Sequence, residues 1–141
     1  GKSDRRAVQT LNDFWSQLGC TLESMTPAEH DRVFANVSHL PHVTAAALTN
    51  AGKDDDLKFC GRGFIDTSRI ASGPPNIWAD VLLTNARNVT RGIDKVIGEL
   101  TRLRKAIDKA DRKRIEALLA KAGAKRAALI EYKIKNKEIL S

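Results

Sequence analysis

The stretch from Gly63 to Gly73, with the sequence GFIDTSRIASG, carries the residues best suited to binding an anion. Asp66 is a good helix N-cap, because its carboxylate can accept from backbone N–H groups two or three residues later. We therefore expect a short helix from Thr67 to Gly73. Arg69 would lie in its first turn, where a cation gains nothing from the helix dipole, and its planar fork suits a carboxylate or phosphate. The stretch predicts an anion site, although a pair between Arg69 and a carboxylate of its own chain, such as Asp66, explains the arginine equally well.

Two histidines and a tryptophan lie close to other predicted helix starts. We interpret Ser38 as the cap of a new helix, which places His39 and His42 three residues apart on one face of its first turns. Trp78 follows the stretch from Gly63 to Gly73. Backbone N–H groups and the arginine would bind a carboxylate, imidazole would bind a second polar group, and the indole would offer a flat face. These residues predict a pocket for a small organic acid, with ordinary packing roles for the histidines and Trp78 as the alternative.

Other kinds of chemistry have weaker support. The chain has no G-x-G-x-x-G and no G-x-x-x-x-G-K-[ST] sequence, so we expect this segment to bind neither a dinucleotide nor a nucleoside triphosphate by those loops. His30 precedes Asp31, a pair found in metal-dependent phosphohydrolases, but no H-E-x-x-H or paired C-x-x-C accompanies it. Ser38 adjoins His39 in sequence only, and its predicted role as a cap already accounts for it. We predict no metal site and no catalytic residue in this segment.

Length and composition favour one helical domain over residues 1–141. The 42% of hydrophobic and 29% of charged residues are typical of a soluble globular protein, and no apolar run is long enough to cross a membrane. The polar start of the chain lacks the apolar core of a signal peptide, so we expect a cytoplasmic protein. Cys20 and Cys60 are expected to be free thiols.

The net charge of +7 is concentrated at one end of the chain. Residues 1–100 hold 11 Lys and Arg against 12 Asp and Glu, whereas residues 101–141 hold 13 against 5. A basic tail can bind nucleic acid. Here apolar residues interrupt the cations at helical spacing and Tyr132 is the only aromatic, so we expect a solvated helix face and no nucleic-acid partner.

Helical signals fill most of the first half. Apolar residues at steps of three and four predict a helix from Ser3 or Asp4 to Gly19, and Thr26-Pro27-Ala28-Glu29 is a capping box that opens another. Residues 20–25 are expected to be extended, and residues 53–56 to form a solvated loop.

A heptad pattern dominates the second half. It predicts a helix of about 30 residues from near Asn76, roughly 45 Å long, for which a second copy of the chain is the simplest partner. A further helix should run from Asp111 to about Tyr132, and the fold class is all-α. The two heptad series are Leu82, Val89, Val96 and Leu103, and Ala86, Ile93, Leu100 and Ile107.

Three motifs in a fixed order carry a family resemblance. They are EHDRVFA from Glu29, SHLPH from Ser38 and GFIDTSRIAS from Gly63, followed by Trp78 and Asn85. Over roughly residues 7–107 the chain resembles the C-terminal helical domain of prephenate and arogenate dehydrogenases. That resemblance implies an intertwined homodimer that closes the active-site cleft. It also implies a separate N-terminal Rossmann domain, absent from this chain, that binds NAD or NADP for the oxidative decarboxylation of prephenate or arogenate in tyrosine biosynthesis.

The resemblance also implies roles for individual residues. Arg69 would grip a substrate carboxylate, Asp66 would hold its motif in shape, and Trp78 would border the substrate, with imidazoles lining the pocket. Arg62 stands where family members often have a small residue, which leaves the choice between prephenate and arogenate open. The substrate-binding residues implied in this way are Arg69, His42, His39, Ser38, Asp66 and Trp78.

Two functions of different classes follow. The first is the dimerisation and substrate-binding half of a prephenate or arogenate dehydrogenase, with no cofactor bound by this segment and no activity when it is alone. The alternative is a stand-alone helical dimer that senses a small aromatic-pathway acid without catalysis. A strand, G-x-G-x-x-G and helix encoded directly upstream would favour the enzyme.

Overall fold

The computed structural model describes residues 4–136, and this part of the chain consists of helices and short connections. It contains no strand, so the predicted all-α class is confirmed, and residues 20–25 form an irregular connection. No helix in residues 4–136 is long and apolar enough to cross a membrane. In chain order the elements are α1 Arg5–Gln17, α2 Pro27–Phe34, a π-helical turn Ala35–His39, α3 Leu40–Ala51, α4 Asp54–Leu57, α5 Arg62–Ser68, a 3₁₀ turn Arg69–Ser72, α6 Pro75–Thr84, α7 Ala86–Asp108 and α8 Arg112–Lys135.

The outermost helices begin where side-chain caps predict. Asp4 is extended and accepts from the backbone N–H of Arg6, which starts α1, and Asp111 accepts from the N–H of Arg114, which starts α8; both distances are 2.9 Å. After α1 the chain passes through Gly19 with a φ of 78°, a left-handed conformation that glycine adopts at little cost. The sequence predictions of these two starts and of the stop at Gly19 are confirmed.

The predicted break at Ser38 is wrong. The backbone stays helical from Pro27 to Ala51, because a π turn joins α2 directly to α3, and Ser38 lies inside that turn without capping anything. The N–H of Leu40 bonds to the carbonyl of Ala35, one residue further back than in an α-helix. A proline lacks an N–H and its ring collides with the carbonyl four residues earlier in α geometry, and the widened turn lies directly before Pro41.

The predicted helix start at Asp66 is also wrong. Helix α5 begins earlier, at Arg62, because the extended backbone of Gly61 provides the cap position, and Asp66 lies exposed in the helix interior. An N-cap needs non-helical backbone, which Asp66 does not have. Arg69 consequently lies in the 3₁₀ turn that follows α5, at the helix end where a cation is favoured. Its placement is therefore compatible with helix stability and no longer by itself evidence for an anion.

Two further expectations need correction. Residues 53–56 were predicted to form a loop, but Asp54–Leu57 form one helical turn whose aspartates lie at the favourable N-terminal end. The long heptad helix is two helices, α6 and α7, of 10 and 23 residues, because the chain leaves helical geometry at Asn85 with φ −117° and ψ 26°. The heptad pattern depends only on the spacing of apolar side chains. It therefore continues across the break in the backbone helix at Asn85. Its pairing with a second copy stays a prediction.

By their internal contacts the residues divide into two units, which we describe separately: a first unit of residues 4–88 and a second unit of residues 89–136. In the first, α3 packs on the 3₁₀ turn and on α5, and the buried residues include two polar ones, His42 and Asn85. The second contains most of α7 and all of α8, and its buried hydrophobic residues are Val89 and Ala106.

Candidate functional site

An aromatic pair lies at the centre of the first unit. The imidazole of His42, on α3, stacks on the indole of Trp78, on α6, with ring centroids 3.5 Å apart and planes 7° from parallel. His39, at the end of the π turn, meets the same indole edge-on at 6.3 Å and 84°. His42 is only 7% exposed, whereas His39 and Trp78 are half-buried. The structure thus brings together the two histidines and the tryptophan that the sequence analysis grouped.

Gly73 allows this stack to form. It lies between the 3₁₀ turn and α6, and a β-carbon there would stand 2.8 Å from Cδ1 of Trp78 and 3.0 Å from Cε1 of His42. Real β-carbons do not approach other atoms that closely, so a side chain would push the rings aside. The backbone of the loop after Arg69 therefore forms one wall against the ring pair.

His42 carries an unpartnered polar atom. Its Nδ1 is buried and has no hydrogen-bond partner within residues 4–136. Leaving a buried donor or acceptor unsatisfied costs about 1 to 3 kcal/mol, so such atoms are rare and usually have a functional reason. Nδ1 of a neutral imidazole either donates or accepts, according to the tautomer, and it is suited to receive a polar group of a bound molecule.

Asn85 organises the polar contacts around His39. Its side chain is 7% exposed, and its Nδ2 lies 2.7 Å from the carbonyl oxygen of Asp31 and 3.3 Å from Nδ1 of His39. Its Oδ1 accepts from Nδ2 of Asn88 at 2.9 Å. The sequence analysis named Asn85 only as part of a motif. Asn85 belongs to neither heptad series, and its spacing does not distinguish it from polar neighbours such as Thr84 and Asn88.

Arg69 presents an unpaired cation on the turn that packs against α3. The side chain is exposed, and in the part of the chain that is described it forms no ion pair or hydrogen bond, either with Asp66 or with any other residue. The alternative in which Asp66 neutralises Arg69 is therefore absent from this structure. The guanidinium is free to bind an external anion.

We call His39, His42 and Trp78 the ring cluster. Three of the six proposed substrate-binding residues have no described contact with it, namely Arg69, Ser38 and Asp66. Ser38 is half-buried in the π turn, and Asp66 is exposed on α5. His30 lies 3.2 Å from the carboxylate of Asp31 and stacks on Phe34 at 4.3 Å, which gives it a local role. Over residues 4–136 there is no group of three or more His, Cys, Asp or Glu side chains arranged to hold a metal, and both cysteines are exposed and unpaired.

A second, quite different surface lies in the second unit. Helices α7 and α8 flank an apolar groove of about 400 Å³. Several large apolar side chains on these helices are exposed, which is expensive for a surface facing water. The groove is lined by Val96, Leu100, Leu103, Leu118, Leu119 and Ala122, with Lys95, Glu99, Lys121 and Lys125 at its edges.

Comparison with known proteins gives consistent results. The chain is 32% identical over 116 residues to a prephenate dehydrogenase of Bacillus subtilis, which covers 78% of this chain and 31% of that protein. Its fold resembles a solved prephenate dehydrogenase of Aquifex aeolicus in complex with hydroxyphenyl propionate and NAD+, with a TM-score of 0.79, 32% identity, and coverage of 91% of this chain and 47% of that one.

A solved arogenate dehydrogenase of Synechocystis is similar in fold as well, with a TM-score of 0.78, 27% identity, and coverage of 89% of this chain and 48% of that one. The chain thus spans about a third of the length of the curated relative and about half of the solved structures. A family model described as "Prephenate dehydrogenase, dimerization domain" matches residues 26–121, which include the ring cluster, Arg69 and all of α7. The chain belongs to this family of prephenate dehydrogenase dimerization domains.

Proposed function

We propose that this chain is the dimerisation and substrate-binding half of an NAD(P)-dependent dehydrogenase that acts on prephenate or arogenate in tyrosine biosynthesis. Family membership supports this function over a stand-alone sensor. The observation that carries the proposal is the unpaired Arg69 on the turn that packs on α3, the helix whose His42 stacks on Trp78 with an unsatisfied Nδ1. A small organic acid supplies a carboxylate for Arg69 and a second polar group for Nδ1 of His42.

The side chains divide the binding task by their chemistry. Arg69 binds one carboxylate through its planar fork, and Nδ1 of His42 bonds to a second polar group of the substrate. His42 itself covers one face of the Trp78 indole at 3.5 Å, so this indole cannot offer that face to the substrate ring as the sequence analysis expected. Trp78 acts instead as a support that holds His42 flat, with its other face or its edge turned to the ligand.

The residues of this chain do not fit a nicotinamide dinucleotide. The family reaction requires a hydride acceptor, but neither glycine-rich phosphate loop occurs in the sequence. We therefore place the NAD or NADP site, and the residues that take part in hydride transfer, in a Rossmann domain outside this segment. The roles of this segment are to bind and orient the substrate and to exclude water from it. We expect it to be inactive alone.

The second unit supplies the dimer contact in this proposal. Ile97, Leu100 and Ile107 are exposed on α7, and Leu119 and Leu129 on α8. Burial of such side chains against a second copy is favourable by about 25 cal/mol per Å² of apolar surface. An isologous contact across these helices gives the homodimer, and intertwining of the two copies follows if α7 and α8 of one pack between those of the other.

Calorimetric titration tests the substrate site. Prephenate and arogenate are titrated into the chain combined with the nucleotide-binding domain of a relative and NADH, which cannot accept a hydride, so that the heat reports binding alone. Arg69→Ala should weaken binding about 10- to 150-fold, since a charged hydrogen bond is worth about 1.5 to 3 kcal/mol. Arg126→Ala removes an exposed cation from α8 and serves as the matched control, with unchanged affinity expected.

The same titration separates the two substrates and the two functions. If the exposed Arg62 at the start of α5 selects the substrate, Arg62→Ala should change the ratio of the prephenate and arogenate affinities. When NAD+ or NADP+ replaces NADH in the mixture, formation of NADH or NADPH supports the enzyme, whereas tight binding without turnover supports the sensor. Equal affinities of native chain and Arg69→Ala for both acids would overturn the proposed site.

A further inference from the structure

The contacts of Asn85 determine the orientation of its amide. A backbone carbonyl oxygen only accepts hydrogen bonds, so the Asn85 atom 2.7 Å from the carbonyl of Asp31 must be the NH₂ group. The opposite orientation would place two acceptor oxygens in contact inside the protein. The amide oxygen is then directed to the side chain of Asn88, whose NH₂ donates to it at 2.9 Å. All the hydrogen-bonding atoms of this buried amide are satisfied in one orientation only.

This orientation determines which nitrogen of His39 carries the proton. The Asn85 NH₂ also faces Nδ1 of His39 at 3.3 Å, and an amide NH₂ has no lone pair with which to accept. Nδ1 must therefore be the acceptor. A neutral imidazole with an unprotonated Nδ1 carries its hydrogen on Nε2. Protonation of Nδ1 would place two donors against each other.

The remaining nitrogen of His39 is available to a ligand. Nε2 has no hydrogen-bond partner among residues 4–136, and it is not a buried orphan, since Nδ1 of His42 is the one such atom there. His39 also contacts the Trp78 indole edge-on, in the ring cluster described above. Nε2–H is thus a donor that reaches solvent beside the proposed substrate site.

We propose that Asn85 is a positioning residue that fixes His39 as the neutral Nε2–H tautomer, so that this imidazole acts as a hydrogen-bond donor to an acceptor oxygen of the substrate. The assignment of the tautomer depends on this geometry alone, and the role toward substrate rests on the proposed function. The same contacts account for the backbone conformation at Asn85. Asn85 reaches residues 46 and 54 positions earlier in the chain, and the non-helical conformation between α6 and α7 accompanies this inward-facing side chain.

Long-range ¹H–¹⁵N correlation spectra of the chain test the tautomer directly. The chain has three histidines, and His39→Gln identifies the signal of interest. In the native chain we expect the protonated nitrogen of His39 to be Nε2. Asn85→Asp puts a carboxylate, which only accepts, against Nδ1, so Nδ1 should become protonated. Asn88→Ala leaves the bonds to Asp31 and His39 in place and should keep the native pattern.

Two results of these spectra would overturn the proposed tautomer. A native His39 protonated at Nδ1 overturns the proposal without any variant, so a failure of Asn85→Asp to fold cannot protect it. An unchanged Nε2–H pattern in a folded Asn85→Asp chain also overturns it.

The role toward substrate has its own measurement. In the chain combined with the nucleotide-binding domain and NADH, which cannot accept a hydride, prephenate should shift the His39 Nε2–H signal. Binding that depends on Arg69 but leaves this signal unmoved would overturn the donor role while the proposed function stands. Absence of any binding would count against the proposed function, and the spectra of the free chain would still decide the tautomer.

Discussion

The two units of the chain bury different kinds of side chain. In the first, the buried residues include His42 and Asn85, and the contacts of Asn85 connect parts of the sequence more than 40 residues apart. In the second, the described buried residues are the nonpolar Val89, Gly92 and Ala106, and the apolar groove beside α7 and α8 is lined in part by the exposed Leu100 and Leu119. Polar contacts are directional and select one arrangement within a single chain, whereas apolar surface needs only to be covered. The buried polar residues of the first unit belong to the proposed ligand site, and the apolar groove of the second unit belongs to the proposed dimer contact.

The largest effect should come from placing a charge on the apolar surface of the second unit. If Leu100 is buried in the dimer, Leu100→Asp loses about 1.5 to 3 kcal/mol per copy, and each copy contributes once in a two-fold contact. The dimer dissociation constant should rise about 10²- to 10⁴-fold, at 1.4 kcal/mol per factor of ten. Sedimentation equilibrium over a range of concentrations measures this constant.

Asn50→Asp is the matched control for this experiment. Asn50 is exposed on α3, so this variant also adds an aspartate to a helix surface, but in the first unit. It should associate like the native chain. An equally stable dimer in Leu100→Asp would show that the apolar surface of α7 has another use, and the contrast between the two units would lose its basis.

The next effect concerns the close packing of the ring cluster. Gly73→Ala forces a β-carbon into the stack of His42 and Trp78 and should destabilise the first unit by about 1 to 3 kcal/mol. Gly63→Ala is the control, because a β-carbon there meets nothing within 4 Å and alanine favours the helix interior of α5. Thermal unfolding should give a lower midpoint for Gly73→Ala and an equal or higher one for Gly63→Ala. Equal midpoints for the native chain and Gly73→Ala would show that the rings adjust freely.

Replacement of the buried imidazole of His42 should have a smaller effect on stability, and this effect should be an increase. His42→Phe keeps an aromatic ring against Trp78 and removes the unsatisfied Nδ1, so we expect a gain of about 1 kcal/mol in the free energy of unfolding. Substrate binding should be lost in the same variant. Higher stability together with lost binding identifies a residue kept for function, and lower stability would indicate that Nδ1 is satisfied in solution. Chemical denaturation and calorimetry provide the two measurements.

The sequence predicted those parts of the fold that depend on local caps. The caps Asp4, Thr26 and Asp111 each begin a helix because an oxygen of a short side chain satisfies N–H groups within three residues, and this requires no tertiary contact. Ser38 and Asp66 are of the same residue types but lie inside continuous helix. A capping side chain permits a helix start but does not impose one. The start of α5 at Arg62 and the π turn at Ala35–His39 depend on backbone conformation that Ser38 and Asp66 do not determine.

The site was predictable to a different extent. Residue types and predicted helix starts grouped His39, His42 and Trp78, the family resemblance implied the same group, and the structure brings these residues together. The role of Asn85 was missed, because a hydrogen bond to a residue 46 positions away leaves no periodic signal in the sequence. Arg69 lies in the 3₁₀ turn after α5 and not at the predicted helix N-terminus, and its guanidinium is exposed and has no described partner.

The smallest expected effect is a pH dependence of stability that comes from the first unit. Hydrogen bonds from the backbone N–H and then the hydroxyl of Thr26 hold the pKa of Glu29 below its ordinary value of 4.5. Because the folded pKa is the lower one, ionised Glu29 stabilises the start of α2 above pH 4.5, and this contribution is lost as the pH falls through the folded pKa.

Glu29→Gln keeps an acceptor in the capping box and removes the titration. Urea unfolding should show the native chain more stable than Glu29→Gln at neutral pH, and the two equally stable well below pH 4.5. The dimer dissociation constant of the two chains should be the same at neutral pH, since Glu29 belongs to the first unit and the proposed dimer contact to the second. A difference in stability that persists unchanged in acid would mean that the carboxylate acts through its shape and not its charge. A difference in dimerisation would show that the two units are coupled.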